Sequence, residues 1–305
     1  MPMPNFLILG APKAGTTALY YELIRHPQIF MPSLKEPWFF AYAGSPPRFA
    51  GPLGAWSHPA MHDLDAYRAL FDGVGEQRAI GEASPIYLYA PDAASNIARL
   101  VPGARMIAIL RDPAERAFSA FCHSLRDGVE PLRDFRRALD AEAERVATGW
   151  PVIYHYVGAG FYAAQLRRYL ERFDRSQLRI YLYEDLERDP KALIREILGF
   201  LDVDTSFAVR EPPRVNATGL PRSRALSWAY RVVSKDNPVK RLFKPLLPVG
   251  MRKRLISRTL SAIERRNLVR PELPPALRRE LIGVYRQDVL ELQDLLGRDL
   301  SAWLS

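Results

Sequence analysis

The sequence predicts an α/β fold: an open parallel sheet flanked by helices, followed by a helical, basic C-terminal extension. Three observations carry that prediction. Short apolar runs alternate with helical patterns through the first two thirds of the chain, as parallel strands joined by crossover helices require. The first apolar run ends in a glycine-containing turn that opens straight into a helical pattern. After Asp204 the pattern gives way to basic helical segments separated by Pro238, Pro245 and Pro248.

Taken in order, Phe6-Leu7-Ile8-Leu9 reads as a buried first strand. Thr16 to Arg25 reads as a helix with Leu19, Tyr20 and Leu23 toward one face. Ala79-Ile80-Gly81-Glu82 is a short second strand and Met106 to Leu110 a third. Asp112-Pro113-Ala114-Glu115 then supplies an N-cap, a proline at the first helical position and an acid in the first turn, opening a helix to about Leu125. The amphipathic helix Tyr162 to Phe173 precedes a fourth strand, Leu178 to Tyr183, and Leu193 to Leu201 forms a further helix. Pro212-Pro213 and Asn216-Ala217-Thr218-Gly219 mark a loop. Ala276 to Leu296 carries Leu277, Leu281, Tyr285, Leu292 and Leu295 at helical spacing and is expected to dock on the sheet. Without repeats or low-complexity tracts, residues 1–305 are expected to form one domain: an α/β core over 1–210 and a loop with helical extension over 211–305.

The chain of 305 residues is 48% hydrophobic and 25% charged, the balance of a soluble globular protein rather than a disordered one. The first apolar run breaks at Gly10, so neither a secretory signal nor a membrane span is expected. A single cysteine, Cys122, excludes an intrachain disulfide and a cysteine-based zinc site, and a reducing, cytoplasmic setting is expected. His26, His58, His62 and His155 show no metal spacing, and no metal is expected. The net charge of +9 suits an anionic cofactor, an anionic acceptor, nucleic acid or a membrane surface alike. Fourteen Lys or Arg between Arg222 and Arg270 face only Asp236 and Glu264. That basic stretch is interleaved with Trp228, Tyr230, Leu242-Phe243 and Leu255-Ile256. It is compatible with steering an anionic saccharide, with peripheral contact on an anionic membrane, or with a solvated helical face.

Gly10-Ala11-Pro12-Lys13-Ala14-Gly15-Thr16-Thr17 between strand and helix has the layout of a phosphate-binding loop. Its glycines allow backbone N–H groups to curl around an anion, and the helix N-terminus adds its positive dipole end. Lys13 contributes a full charge; Thr16 and Thr17 contribute hydroxyl donors. A nucleoside-triphosphatase loop places its lysine directly after the second glycine. Here Thr16 follows Gly15 and the lysine lies inside the loop, which counts against a P-loop nucleotide kinase or NTPase. A strand-to-helix turn without a ligand is the plainer alternative.

Pro12-Lys13-Ala14-Gly15-Thr16-Thr17-Ala18-Leu19 resembles the 5′-phosphosulfate loop of sulfotransferases that use 3′-phosphoadenosine 5′-phosphosulfate (PAPS), above all the heparan sulfate N- and 3-O-sulfotransferase type and bacterial proteins built like them. Three further segments occur in the matching order: His26-Pro27, Lys35-Glu36-Pro37-Trp38-Phe39-Phe40, and Leu110 through Ser119, which resembles the family's 3′-phosphate motif. The resemblance extends to about residue 225. It implies a P-loop-type sheet, PAPS as cofactor with 3′-phosphoadenosine 5′-phosphate (PAP) as product, no metal, and no nucleic-acid partner.

The resemblance also implies roles. Lys13, Ala14, Gly15, Thr16 and Thr17 would hold the 5′-phosphosulfate, and Arg111 and Ser119 the 3′-phosphate, through a guanidinium fork and a hydroxyl. Lys13 would also stabilise charge on the leaving group. Glu36 would be the general base, where an unrelated sequence would have a solvated glutamate beside Lys35. Glu82 is a second acid with three readings: base, acceptor contact, or acceptor of backbone hydrogen bonds. Relatives of the heparan type carry lysine at the next position, where this chain has Ala83, so a heparan-like acceptor is in question. His123 lies four residues after Ser119, on the same helix face. A cytosolic branch of the family uses a histidine base, although a lone helical histidine is more often a packing residue. Gly219, Arg222 and Arg224 fall where relatives close a basic loop over the nucleotide. The acceptor is expected to be a saccharide, a glycolipid or a natural product. A non-catalytic nucleotide- or polyanion-binding protein is the remaining alternative.

Overall fold

The computed structural model describes residues 2–51, 60–209, 220–221, 268–269 and 271–305. Its centre is a five-stranded parallel sheet in the order β2-β3-β1-β4-β5, formed by β1 (Phe6–Gly10), β2 (Ile29–Phe30), β3 (Ala79–Ala83), β4 (Arg105–Leu110) and β5 (Leu178–Leu182). Phe6, Leu7, Ile8 and Leu9 are wholly buried, as are Met106 through Leu110. A parallel sheet covered on both faces leaves no solvated side to alternate with, so its strands read as continuous apolar runs. Each fully buried Leu, Ile or Phe contributes about 1.5–3 kcal/mol of transfer free energy, so β1 and β4 anchor the core.

The connections between strands hold α1 (Thr16–Leu23), α2 (Phe39–Tyr42), α3 (Leu64–Ala69), α4 (Ala93–Leu100), α5 (Pro113–Arg126), α6 (Phe135–Asp140), α7 (Glu142–Ala147) and α8 (Tyr162–Leu170), and α9 (Tyr183–Arg188) and α10 (Pro190–Phe200) follow β5. Aspartate starts several of them. Asp112 Oδ1 accepts from Ala114 N and Glu115 N at 2.9 and 3.2 Å, with Pro113 in the first turn. Asp189 repeats the device ahead of Pro190, accepting from Ala192 N at 2.9 Å. Such side chains satisfy N–H groups that the first helical turn leaves without partners.

The strands and long helices fall where the sequence placed them, with shifts at the ends. The first helix stops at Leu23 rather than Arg25, and α8 at Leu170 rather than Phe173. β3 continues one residue to Ala83, and β5 ends at Leu182, giving Tyr183 to α9. The C-terminal helix, Pro275–Leu296, packs chiefly against α8 and α5 and not on the sheet as its apolar spacing led one to expect, because those helices already cover that face. Asp288 accepts from Ala163 N at 3.1 Å at the start of α8, and Arg278 pairs with Asp112 at 2.9 Å at the start of α5.

The order of strands sets the functional edge. From β1 the chain crosses to β2 and β3 on one side, then returns to place β4 on the other. Loops after β1 and β4 therefore diverge at their carboxyl ends, the place where open α/β sheets leave a crevice for ligands.

Candidate active site

That crevice is a cleft of about 1520 Å³ lined in part by Lys13, Thr17, Lys35, Glu36, Arg111 and Ser119. It exceeds the roughly 300–1,000 Å³ usual for one drug-sized ligand. Gly15 and Lys13 turn the β1–α1 loop through left-handed backbone, at φ 98° and 70°. A side chain at Gly15 would bring its Cβ to 2.8 Å from Leu186 Cδ2 and 3.3 Å from the Tyr183 ring, so the position requires glycine. Ala11 N donates to Ile109 O of β4 at 2.7 Å and stitches the loop to the neighbouring strand. Burial first, and then the Arg126 charge, push the Lys13 ammonium down to about 8.

Across the cleft, the segment before α2 is held in an unusual backbone. Glu36 and Trp38 adopt φ of 61° and 59°. Left-handed non-glycine residues persist only where their surroundings fix them, and they cluster at functional sites. Glu36 N donates to Ala83 O at 3.1 Å, pinning the turn to the end of β3. Lys35 Nζ then bridges two groups, donating to Glu36 Oε1 and to Thr17 Oγ1, each at 2.8 Å. Thr17 and Glu36 are thus joined through a lysine to which the sequence reading assigned no role. The only signal was its adjacency to Glu36.

The β4–α5 junction supplies the other wall. The Arg111 guanidinium sits 5.0 Å from the centre of the Tyr183 ring, 3.5 Å from Glu115 Oε2, and donates to Lys13 O at 3.4 Å. It is therefore connected to the same loop as Lys13. Ser119, buried on α5, faces the cleft. His123 lines the cleft from the same helix face, as the four-residue spacing requires. Arg126 donates to His123 Nδ1 at 2.6 Å, which leaves the ring proton on Nε2, 3.6 Å from Asp127 Oδ2. Burial and the Lys13 charge hold this imidazole well below its usual range, so it is neutral and weakly basic.

Glu82 is placed differently. It is 1% exposed and does not line the cleft. Three hydroxyls donate to its carboxylate: Tyr87 at 2.6 Å, Ser84 at 2.9 Å and Tyr67 at 3.3 Å. Burial nevertheless lifts the carboxyl to about 7. The structure therefore brings together Lys13, Gly15, Thr16, Thr17, Glu36, Arg111, Ser119 and His123 around one cleft. Ala14 is buried inside the loop, and Glu82 lies away from the lining. Gly219, Arg222 and Arg224 lie outside the described residues. Beyond the residues the sequence singled out, Lys35, Trp38, Arg116 and Arg278 also line the cleft. Among the described residues no group of three or more His, Cys, Asp or Glu is arranged to hold a metal ion, and no helix is long and apolar enough to cross a membrane.

Comparison with known proteins bears on the same span. Residues 4–207, which contain β1 through β5 and all the helices through α10, match the family model described as the sulfotransferase family. A sulfotransferase from Alicyclobacillus acidocaldarius, known from its crystal structure, is 34% identical, with a TM-score of 0.77 and 100% of each chain covered. The bifunctional heparan sulfate N-deacetylase/N-sulfotransferase 3 of Homo sapiens is 29% identical over 205 residues, 66% of this chain and 22% of that protein. The membrane-associated sulfotransferase kil1 of Dictyostelium discoideum is 33% identical over 153 residues, 48% of this chain and 29% of that protein. The chain thus spans less than a third of the length of these last two relatives. Since the matched span contains the parallel sheet, the β1–α1 loop, the Glu36 turn and the β4–α5 wall, the chain belongs to the sulfotransferase family.

Proposed function

We propose that this protein transfers a sulfuryl group from PAPS to a hydroxyl or amine of an acceptor, a saccharide, glycolipid or natural product. Glu36 serves as general base and Lys13 stabilises the leaving group. The observation that carries this reading is the pairing across one cleft of a lysine-bearing anion loop with a carboxylate, joined by the Lys35 bridge.

The residues present fit the cofactor. An ammonium pushed down to about 8 by burial lacks solvation that an anion would replace. Lys13, Lys35 and Arg111 are among the cations that line the cleft and suit a ligand rich in phosphate oxygens. When bound, the cofactor supplies a sulfuryl group activated as a phosphosulfate anhydride. Lys13 and the loop N–H groups hold negative charge at that end, and Arg111 with Ser119 binds the 3′-phosphate. Glu36 accepts the proton of the acceptor hydroxyl or amine at a carboxylate oxygen, a contribution of about 10²–10⁴ in rate for a positioned base. Positioning and fixed electrostatics supply the remainder.

The single-domain organisation, with a core over residues 1–210, belongs to the same reading. So does a role for the basic segment 222–270 in drawing in an anionic acceptor or resting on an anionic membrane. Co-sedimentation with phosphatidylserine vesicles, lost on charge reversal in that segment, supports the membrane role; no co-sedimentation of the unaltered protein ends it.

Isothermal titration with PAP, with and without Mg²⁺ and against ATP, tests the donor site. Metal-independent binding that weakens in Lys13→Ala and Arg111→Ala supports it. A preference for Mg·ATP transfers the assignment to a P-loop kinase or NTPase, and binding of PAP without turnover on any acceptor to a nucleotide-binding protein.

A further inference from the structure

Glu36, Trp38 and Phe40 are alternate residues, and the backbone N–H of each is tied to the segment running from β3 to the turn after it. Glu36 N donates to Ala83 O at 3.1 Å, Trp38 N to Ser84 Oγ at 3.2 Å, and Phe40 N to the Tyr87 hydroxyl at 3.3 Å. The last two acceptors are not passive. A hydroxyl has one proton, and Ser84 and Tyr87 both spend theirs on Glu82, at 2.9 and 2.6 Å. Donating to a carboxylate fixes the rotation of each hydroxyl and raises the electron density of its oxygen, which strengthens it as an acceptor. A third donor to Glu82, the Tyr67 hydroxyl at 3.3 Å, belongs to the ring that stacks on Phe39, with centres 4.1 Å apart and planes 12° from parallel.

We infer that Glu82 is a positioning residue, whose buried carboxylate orients the Ser84 and Tyr87 hydroxyls so that they hold the left-handed Glu36–Trp38 turn and thereby aim Glu36 into the cleft. The inference rests on the reading of Glu36 as the base. It differs from the three roles open to Glu82 from sequence, because the donors to the carboxylate are side-chain hydroxyls and not backbone groups, and it assigns Glu82 neither acceptor contact nor proton transfer with substrate. The geometry explains why so costly a group stands there. A buried carboxylate without partners is expensive; with three hydroxyl donors it becomes the hub of a network that fixes a backbone of low intrinsic stability. Without it, Ser84 and Tyr87 are free to turn their protons toward other acceptors, and the φ values near 60° at Glu36 and Trp38 lose two of their restraints.

The test uses hydrogen exchange, which does not depend on the acceptor or on the donor assignment, together with turnover, which does. In Glu82→Gln, Ser84→Ala and Tyr87→Phe, amides of residues 36–42 are expected to exchange at least ten times faster. Amides of β1 and β4 should keep their protection. Turnover with PAPS should show kcat reduced by about ten-fold or more, while the affinity for PAP changes by less than two-fold. Ser84→Ala added to Glu82→Gln should cost little more than either alone, as expected for members of one network. Tyr87→Phe and Ser84→Ala keep the carboxylate and serve if Glu82→Gln fails to fold. Unchanged exchange over 36–42 in all three variants overturns the inference. So does a Glu82→Gln protein that loses turnover while Ser84→Ala and Tyr87→Phe keep it, because Glu82 would then act on the substrate itself. Failure of the unaltered protein to bind PAP, with the exchange pattern as expected, would count against the donor assignment and leave the relay standing.

Discussion

Lys35 Nζ lies 2.8 Å from Glu36 Oε1, and both side chains line the cleft although the two residues are consecutive. In an extended strand neighbouring side chains point to opposite faces. The left-handed backbone at Glu36 breaks that alternation. The consequence is chemical, because Lys35 also holds the Thr17 hydroxyl of the anion loop. One cation therefore touches both the proposed base and the proposed donor site. An anion entering at Thr17 would meet the same ammonium that holds Glu36 in place.

Lys35→Met is accordingly expected to lower kcat by about ten-fold, the lower end of what a hydrogen bond to a charged group of about 1.5–3 kcal/mol allows, since solvent reaches the pair. Steady-state kinetics at saturating PAPS checks this. A kcat within two-fold of the unaltered protein would remove Lys35 from the machinery.

Glu36→Gln is expected to bind PAP with unchanged affinity and to lose about 10²–10⁴ in kcat, the usual contribution of a general base. Titration calorimetry and turnover on the same preparation separate the two quantities. If the rate stays within about two-fold, proton transfer to Glu36 is not rate-limiting or another group takes the proton. His123 is a weak candidate, since burial and the Lys13 charge hold it neutral and poorly basic.

Lys13 offers a readout in protons. Its ammonium is pushed down to about 8 by burial, so near pH 8 the free protein carries about half a proton there. An anion in the loop favours the charged form and draws the missing fraction in. PAP binding at pH 8 is expected to take up about half a proton, seen as a dependence of the calorimetric heat on buffer ionisation enthalpy, and Lys13→Met should abolish it. The same shift fixes a stability trend. Between about pH 8 and the ordinary lysine value of 10.5 the unfolded chain binds more protons at this site than the folded one. The contribution of Lys13 to stability therefore rises with pH across that window. Affinity for PAP should fall over the same range.

These sites were unevenly legible in the sequence. β1, β4 and the Asp112-Pro113 start of α5 stand out because full burial on both sheet faces and capping chemistry leave strong local patterns. β2 does not, because two residues, Ile29 and Phe30, carry no periodicity. Neither do the short helices α3, α6 and α7, of six residues each, which depend on tertiary packing. The left-handed turn at Glu36 and Trp38 is hidden for another reason. Neither glycine nor asparagine marks it, and its geometry is imposed from β3 through Ala83 and Ser84. Residues that act through such long-range restraints, Lys35 and Glu82 among them, show their roles only in three dimensions. The glycine-containing loop itself was legible because its left-handed backbone, φ 98° at Gly15, is met by a residue type that marks such a turn in the sequence.

A buried ion pair beside the segment that brings Val152, Ile153 and His155 to the cleft gives a prediction about stability. Arg145 donates to both oxygens of Glu130, at 2.9 and 2.8 Å, and the Tyr156 hydroxyl donates to the same carboxylate at 2.5 Å. Both charged side chains are almost wholly buried, and the guanidinium lies 4.9 Å from the Trp150 ring and 5.2 Å from that of Tyr154. The residues that follow, Val152, Ile153 and His155, line the cleft. Removing Arg145 alone would leave Glu130 charged and buried, so Arg145→Ala is expected to cost about 3–5 kcal/mol in urea denaturation, with the slope unchanged. Replacing both partners with apolar residues, Glu130→Leu with Arg145→Met, removes the uncompensated charge and should recover most of that loss. If the double variant is no more stable than Arg145→Ala, the pair's value lies in holding the 150–156 segment by hydrogen bonds. The two cases separate further at the cleft: the double variant should then also bind PAP more weakly, because the wall would have lost its anchor.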